Sequence, residues 1–386
     1  MIPIMESRNF RKYICFLGFS FVVSGCGNNA PEKPTPNPLV IIDSPLELQV
    51  SWKKTLGGLD STGLKPALFE GSVVAAGANG RVVKFGNDGE IIWATDLGET
   101  ITSGVGKGND YVVVQKLSGT VVNLDLKSGQ IRWESNLLAL STSPPVVGGG
   151  LIFFKTNDGF LFAIDAIDGS TTWTEEGSDN EMGLRGNSPL TFDNGYLFVL
   201  WDSGRLATYL ANDGRIIWER LVSRSISRSP LARLLNSLSS PSVRNGFVAT
   251  ATGNGQVTLT HQSSGDKLWS KDLDASGGAL IAFNQVVAVE TDGTISAFSL
   301  QTGDSLWSQN VLKNRDLSVL GIFDRYLTVT DLDGWLHLLD PRDGNIIARI
   351  KVGNAGARVP LQNIRSQRSG VVQLLNGTLA KIELPR

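Results

Sequence analysis

The sequence predicts an all-β fold: an eight-bladed β-propeller of four-stranded antiparallel blades, closed by pairing of its N- and C-terminal strands. Three observations predict it. A glycine–tryptophan phrase returns about every 40 residues along the chain, the length of one propeller blade. Another glycine precedes each phrase by roughly ten residues, the spacing of two turns within one blade. The series is also out of step at its ends, with a spare hairpin at the C-terminus and an unpaired strand near the N-terminus.

Within the phrase, a turn ends in Gly and Trp follows four residues later: Gly89/Trp93, Gly129/Trp133, Gly169/Trp173, Gly214/Trp218, Gly265/Trp269 and Gly303/Trp307. The copy at Gly344 carries Ala348 in the Trp slot. The earlier glycines are Gly80, Gly119, Gly159, Gly204, Gly255, Gly293 and Gly334, and Gly377 begins a copy that has no second half. The third copy shows how each element follows. Leu151-Ile152-Phe153-Phe154 is an apolar run, Asn157-Asp158-Gly159 a turn, Phe160 to Ile164 a second run, and Ile167-Asp168-Gly169 a turn into Ser170 to Trp173. Short apolar runs joined by Asn-Gly or Asp-Gly are hairpin signals, because those residues accept positive φ cheaply. An upstream segment such as Pro145-Val146-Val147 or Pro241-Ser242-Val243 supplies a fourth strand. No window shows the 3.6-residue apolar spacing of a helical repeat. The strand around Trp52 is expected to pair with Thr378–Ile382, closing the ring and removing an exposed edge. The tryptophans are expected between blades, as fold rather than site.

The N-terminus reads as a processing segment. Arg8, Arg11 and Lys12 precede an apolar run from Tyr13 to Val23, too short to span a bilayer of about 30 Å as a helix. Val23-Ser24-Gly25-Cys26 then resembles a bacterial lipobox. That resemblance implies a signal peptide over 1–25, lipid on Cys26 and, with Gly27 rather than Asp next, anchoring at the periplasmic face of the outer membrane. Several acyl chains hold a protein where one does not. The only other cysteine, Cys15, lies in the signal. Residues 26–45 are rich in Pro and Asn and read as an extended tether, leaving 46–386 for the propeller. With 35 basic and 37 acidic residues and no block of like charge, the chain lacks the footprint of a nucleic-acid binder. Its two histidines, His261 and His337, are far apart and read as surface or packing residues.

Function is expected where the period breaks, since insertions in a repeat fold become rim loops. The intervals from Trp173 to Trp218 and from Trp218 to Trp269 are both long. The first excess runs from Glu175 to Asn187 and presents Met182, Leu184 and Arg185 around a glycine, the composition of an interface anchor. The second runs from Arg220 to Ser240 and carries Arg220, Arg224, Arg228 and Arg233, with Arg244 nearby. Pro230 to Leu235 suits a short helix with Pro at its first position.

With lipobox, tether, eight repeats and closing strand, the chain resembles the BamB family, the propeller lipoproteins of the outer-membrane β-barrel assembly machinery, whose repeats are pyrroloquinoline-quinone-like. The sharpest match is Met182-Gly183-Leu184-Arg185-Gly186-Asn187-Ser188-Pro189, which is similar to the family's Leu-x-Leu-Arg-Gly-Glu-Ser-x-Pro segment. The resemblance implies a non-enzymatic scaffold without cofactor or metal that binds the periplasmic domains of BamA through Met182, Leu184 and Arg185. Through BamA it would join the other lipoproteins of the complex, with unfolded outer-membrane proteins as further partners. In the next insertion the family carries an Asp-x-Asp pair, and Asn236 and Leu238 stand in its place here, so the charge is missing from that surface. Two other readings compete. A quinoprotein dehydrogenase shares the phrase, but that family carries a neighbouring-cysteine disulfide and a longer chain. A propeller lipoprotein serving another envelope complex is the second.

Overall fold

The computed structural model describes residues 34–43, 45–59, 63–177, 188–224, 239–364 and 368–384. The chain divides at Thr35, and the unit from Pro36 to Arg386 holds thirty-two strands, β1 to β32 in chain order, in eight four-stranded sheets. Blades one to seven span residues 67–96, 101–136, 146–176, 191–221, 242–272, 279–309 and 321–351, each a meander of four consecutive antiparallel strands. The eighth is composite. β30 (Gln362–Ile364), β31 (Ser369–Gln373) and β32 (Thr378–Glu383) take β1 (Gln49–Thr55) as their outer strand, from Gln49 opposite Glu383 to Thr55 opposite Thr378. The expected closure is therefore present, one residue longer than Ile382.

Up-and-down order fixes the faces of the ring. The first turn of every blade and the third turns of blades one to seven lie on one face, here the turn face. The second turns and the connections between blades lie on the other, the loop face. First strands of neighbouring blades approach one another around the axis, and β1 and the fourth strands form the rim.

The phrase has a local and a tertiary cause. In blades one to seven the third and fourth strands pair through a β-bulge, as between Lys84 opposite Trp93 and Phe85 opposite Ile91. A bulge places two consecutive side chains on one side. Ile91 and Ile92 are thus 55 % and 53 % exposed, whereas Trp93 is 9 % exposed. Each indole then reaches into the next blade. Trp93 Nε1 donates to the Leu126 carbonyl at 3.0 Å, and Trp133 Nε1 to that of Ala166 at 3.1 Å. Trp52, on β1, donates to Asn87 in the same way. The ring lies on the next blade's phrase glycine: a Cβ on Gly129 would stand 2.6 Å from Trp93. Glycine and tryptophan of one phrase therefore serve two different interfaces. Their apolar clusters straddle neighbouring blades, as where Trp52, Val371 and Leu379 meet Val73, Val83 and Phe85.

Ala348 marks the one junction where the chain ends meet. The eighth blade has no third turn, so no glycine awaits an indole there. Leu46 and Leu48 pack instead into the cluster around buried Ala348, with Ile382 and Leu384, and the Leu46 amide donates to the Ile347 carbonyl at 2.9 Å. The expected tether, 26–45, meets the described residues only in its last part, and that part is held. The Asn37 amide donates to the Lys313 carbonyl at 3.0 Å, and Leu39 packs against the cluster between blades six and seven. Leu39 among the prolines gives this stretch something to bury.

Candidate functional site

Both connections that exceed the repeat leave and rejoin their blades on the loop face. The first joins β13 (Thr171–Glu176) to β14 (Thr191–Asp193), and the second joins β17 (Ile216–Leu221) to β18 (Ser242–Arg244). Met182, Leu184, Arg185, Asn236 and Leu238 fall outside the described residues, as do Cys26 and the helix expected from Pro230. The ends of both connections are described, and they meet. Ser188 Oγ donates to the Ser239 carbonyl at 2.8 Å in a buried contact, and Thr191 Oγ1 donates to the Pro241 carbonyl at 2.6 Å. Segments 51 residues apart in sequence are thus joined at one point of the loop face, where they lead into the first strands of blades four and five.

The floor around that point is polar and firmly held. Gly177, where the first connection leaves its blade, donates its amide to the Gly159 carbonyl at 2.8 Å. A Cβ there would stand 2.6 Å from the buried Trp201 ring, so the backbone lies on the indole. Lys155 Nζ stands 5.3 Å from the centre of the same ring, donates to the Leu200 carbonyl at 2.9 Å and lies 3.6 Å from the Asp202 carboxylate. A buried ammonium needs such partners. Burial pushes the neighbouring Tyr209 hydroxyl up to about 12, with the Trp201 indole opposing it. Under the second connection, the Ser223 and Thr252 hydroxyls share a hydrogen bond of 2.6 Å, and Ser223 Oγ accepts from the Gln256 amide at 3.0 Å.

Of the basic residues, Arg228 and Arg233 fall outside the described residues. Arg244 ends β18 at a first turn, on the turn face, where it lines a cavity of about 440 Å³ with Phe283, Asn284 and Arg368. It does not share a face with the second insertion. Arg220 lies 3.9 Å from Asp266 with both side chains exposed, an arrangement worth little. Arg224 is exposed beside the second connection. Sequence reasoning missed Trp201 and Lys155. The available signals were a tryptophan out of register with the phrase and a lysine ending the apolar run at Leu151.

A second buried polar cluster lies at the loop-face end of blade seven. Arg315 donates through Nε to Asp331 at 2.7 Å, through Nη2 to Asp333 at 2.6 Å, and through Nη1 to the Asn37 carbonyl at 2.8 Å. His337 Nε2 stands 3.1 Å from Asp331 Oδ2, and both side chains are fully buried. Burial drives the His337 pKa down, against the pull of Asp331. Burial alone would raise the Asp331 carboxyl; hydrogen bonds from His337, the Trp335 amide and Arg315 outweigh it and hold the group below its usual range. His261, by contrast, is exposed and stacks on Phe247. Among the described residues, no three His, Cys, Asp or Glu side chains are grouped so as to hold a metal ion.

With this geometry in place, comparison with known proteins is specific. The chain is 25 % identical over 379 residues to the outer membrane protein assembly factor BamB of Bordetella pertussis, covering 97 % of each chain. The crystal structure of BamB from Moraxella catarrhalis matches 87 % of this chain and all of its own with a TM-score of 0.80 at 24 % identity, which shows the shared fold. A quinohemoprotein alcohol dehydrogenase from Comamonas testosteroni also matches, with a TM-score of 0.65 at 12 % identity over 88 % of this chain and 77 % of its own, again a likeness of fold alone. A family model described as "Outer membrane protein assembly factor BamB" matches residues 78–309. The chain belongs to the BamB family of outer membrane protein assembly factors.

Proposed function

We propose that the chain is a non-enzymatic scaffold of outer membrane protein assembly. It is held by lipid on Cys26 at the periplasmic face of the outer membrane and docks on BamA through its loop face. The observation that carries this reading is the meeting of the two repeat-breaking connections at Ser188 and Ser239, in a chain of this family. Leu184 and Met182 supply apolar contact and Arg185 a directed set of donors; Met and Arg are enriched at interfaces, and Arg among the residues that carry most binding energy. The Trp201–Lys155 floor gives the first connection a rigid base, which lowers the ordering cost of docking. Asn236 and Leu238 add amide and apolar contact without charge, so binding there depends weakly on salt. Through BamA the chain joins the other lipoproteins of the complex, with unfolded outer-membrane proteins as further partners and no cofactor.

The test is co-purification from detergent-solubilised membranes. Leu184→Ala with Arg185→Ala is expected to lower BamA recovery at least tenfold, since a hot-spot truncation costs about 2 kcal/mol or more. The melting curve should stay unchanged. Recovery equal to wild type would exclude this loop as the docking site.

A further inference from the structure

The stretch from Asn37 to Leu46 is a strap that crosses blade seven. At one end Asn37 is bonded on the loop face: its amide to the Lys313 carbonyl, its side-chain amide to the Asn310 carbonyl at 3.2 Å, and its carbonyl to Arg315 Nη1. At the other end the Leu46 amide meets Ile347, which follows the third turn of blade seven on the turn face. Between these ends only Leu39 is drawn into a core cluster, while Ile41 is 91 % exposed. The strap is fastened at its ends.

The loop-face fastening is unlike an ordinary surface contact. Arg315 is buried, and two of its nitrogens are committed to Asp331 and Asp333. The guanidinium is thereby fixed in plane, with Nη1 aimed at one carbonyl of the strap. A planar, preoriented fork loses little freedom on making a further bond. A charge-assisted bond from a held donor is also stronger than a neutral one. Sequence order adds a geometric consequence. The chain enters the propeller at Asn37, on the face that carries both long connections. Ten residues lie between Cys26 and Asn37, a reach of at most about 40 Å.

We infer that Arg315 is a positioning residue: it clamps the chain at Asn37 so that the anchor pulls on the loop face, and the propeller presents its two long connections toward the membrane that tethers it. This rests on the lipid at Cys26 and the loop-face docking proposed above. Without the clamp the strap's next holds are the Leu39 side chain and, on the opposite face, Leu46. The longer tether would then let either face turn to the membrane.

The test uses the full lipidated chain on vesicles of phosphatidylethanolamine and phosphatidylglycerol carrying a headgroup energy acceptor. A donor dye is placed at one of two exposed turn positions of blade three, Asp158→Cys on the loop face or Asp168→Cys on the turn face. Energy transfer from the loop-face site is expected to exceed that from the turn-face site at least twofold. Arg315→Lys removes the Nη1 donor to the Asn37 carbonyl while keeping a positive charge beside Asp331 and Asp333, and should bring the two sites to equality. Equal transfer in the unaltered chain, or a ratio that survives Arg315→Lys, would overturn the inference. Hydrogen exchange reads the clamp without any membrane: Arg315→Ala should speed exchange of the Asn37 amide at least tenfold while blade amides hold. Arg315→Lys keeps the charge in the cluster and replaces Arg315→Ala if that variant does not fold. Unchanged exchange in the folded variant would refute the clamp. Failure of the lipidated chain to float with vesicles would count against the anchor instead.

Discussion

Gly129 and Gly150 have the same backbone problem and different surroundings. Both have positive φ, at 72° and 81°, where a Cβ is strained. A Cβ on Gly129 also meets the Trp93 ring, whereas nothing lies within 4 Å of one on Gly150. Gly150→Ala should cost about 1 kcal/mol of stability and Gly129→Ala about 2–4 kcal/mol, measured by urea denaturation. The buried pair in blade seven predicts a pH effect. His337 is neutral when folded, with a pKa below the ~6.5 of an unfolded histidine. Above that value neither state binds the proton; below it the unfolded chain does and the folded chain does not. Stability therefore falls as pH falls through about 6. Asp331, also depressed, adds a loss in the same direction at lower pH still. His337→Gln should flatten the fall in melting temperature between pH 7 and 5, and an equal slope in the variant would show that His337 does not titrate on unfolding.

At the scale of the element, the repeat is a rule about junctions rather than single blades. A Trp needs a glycine on the following blade and a backbone carbonyl within reach of its Nε1. Where the eighth blade is assembled from both ends of the chain, the third turn is missing and leucines of the incoming segment fill the gap. Restoring the consensus should thus do harm. Ala348→Trp would force an indole into space held by Leu46 and Leu48 and should destabilise by about 1–3 kcal/mol, the usual cost of overpacking. Trp133→Ala, which empties a working junction, should cost about 3–5 kcal/mol. Guanidinium melts of the two variants check both, and a stabilised Ala348→Trp would contradict this account of the junction.

Across the whole molecule, ring closure by β1 makes the N-terminal segment structural from Asn37 onward, so anchoring and folding are separable only upstream of it. If the lipid proposed on Cys26 is the anchor, Cys26→Ala should release protein from membranes, or leave an uncleaved precursor, while the melting temperature stays within about a degree of wild type, because the substitution lies well upstream of the strand that closes the ring. Membrane fractionation reads the outcome, and a processed variant still bound to membranes would remove the lipid from the account. The meeting of Ser188 with Ser239 belongs to this scale as well. Two connections separated by an entire blade's strands become neighbours only because successive blades share a face.

The sequence by itself determined the number of blades, their order, the closing strand and the two connections that exceed the period. Those features are local: hairpin turns declare themselves through Gly, Asn and Asp, and a period of blade length follows from repeating them. It also supplied the residue types of the proposed docking loop, though not their arrangement. Only the tertiary structure decided which blade each Trp serves, why Ala348 departs from the phrase, that Arg244 sits on the face opposite the second insertion, and that Trp201 and Lys155 underlie the first. It also decided that the chain from Asn37 on is held against blade seven rather than loose. Each depends on contacts between residues of different blades, and the distance between blades is set by how the ring closes, which no local pattern records.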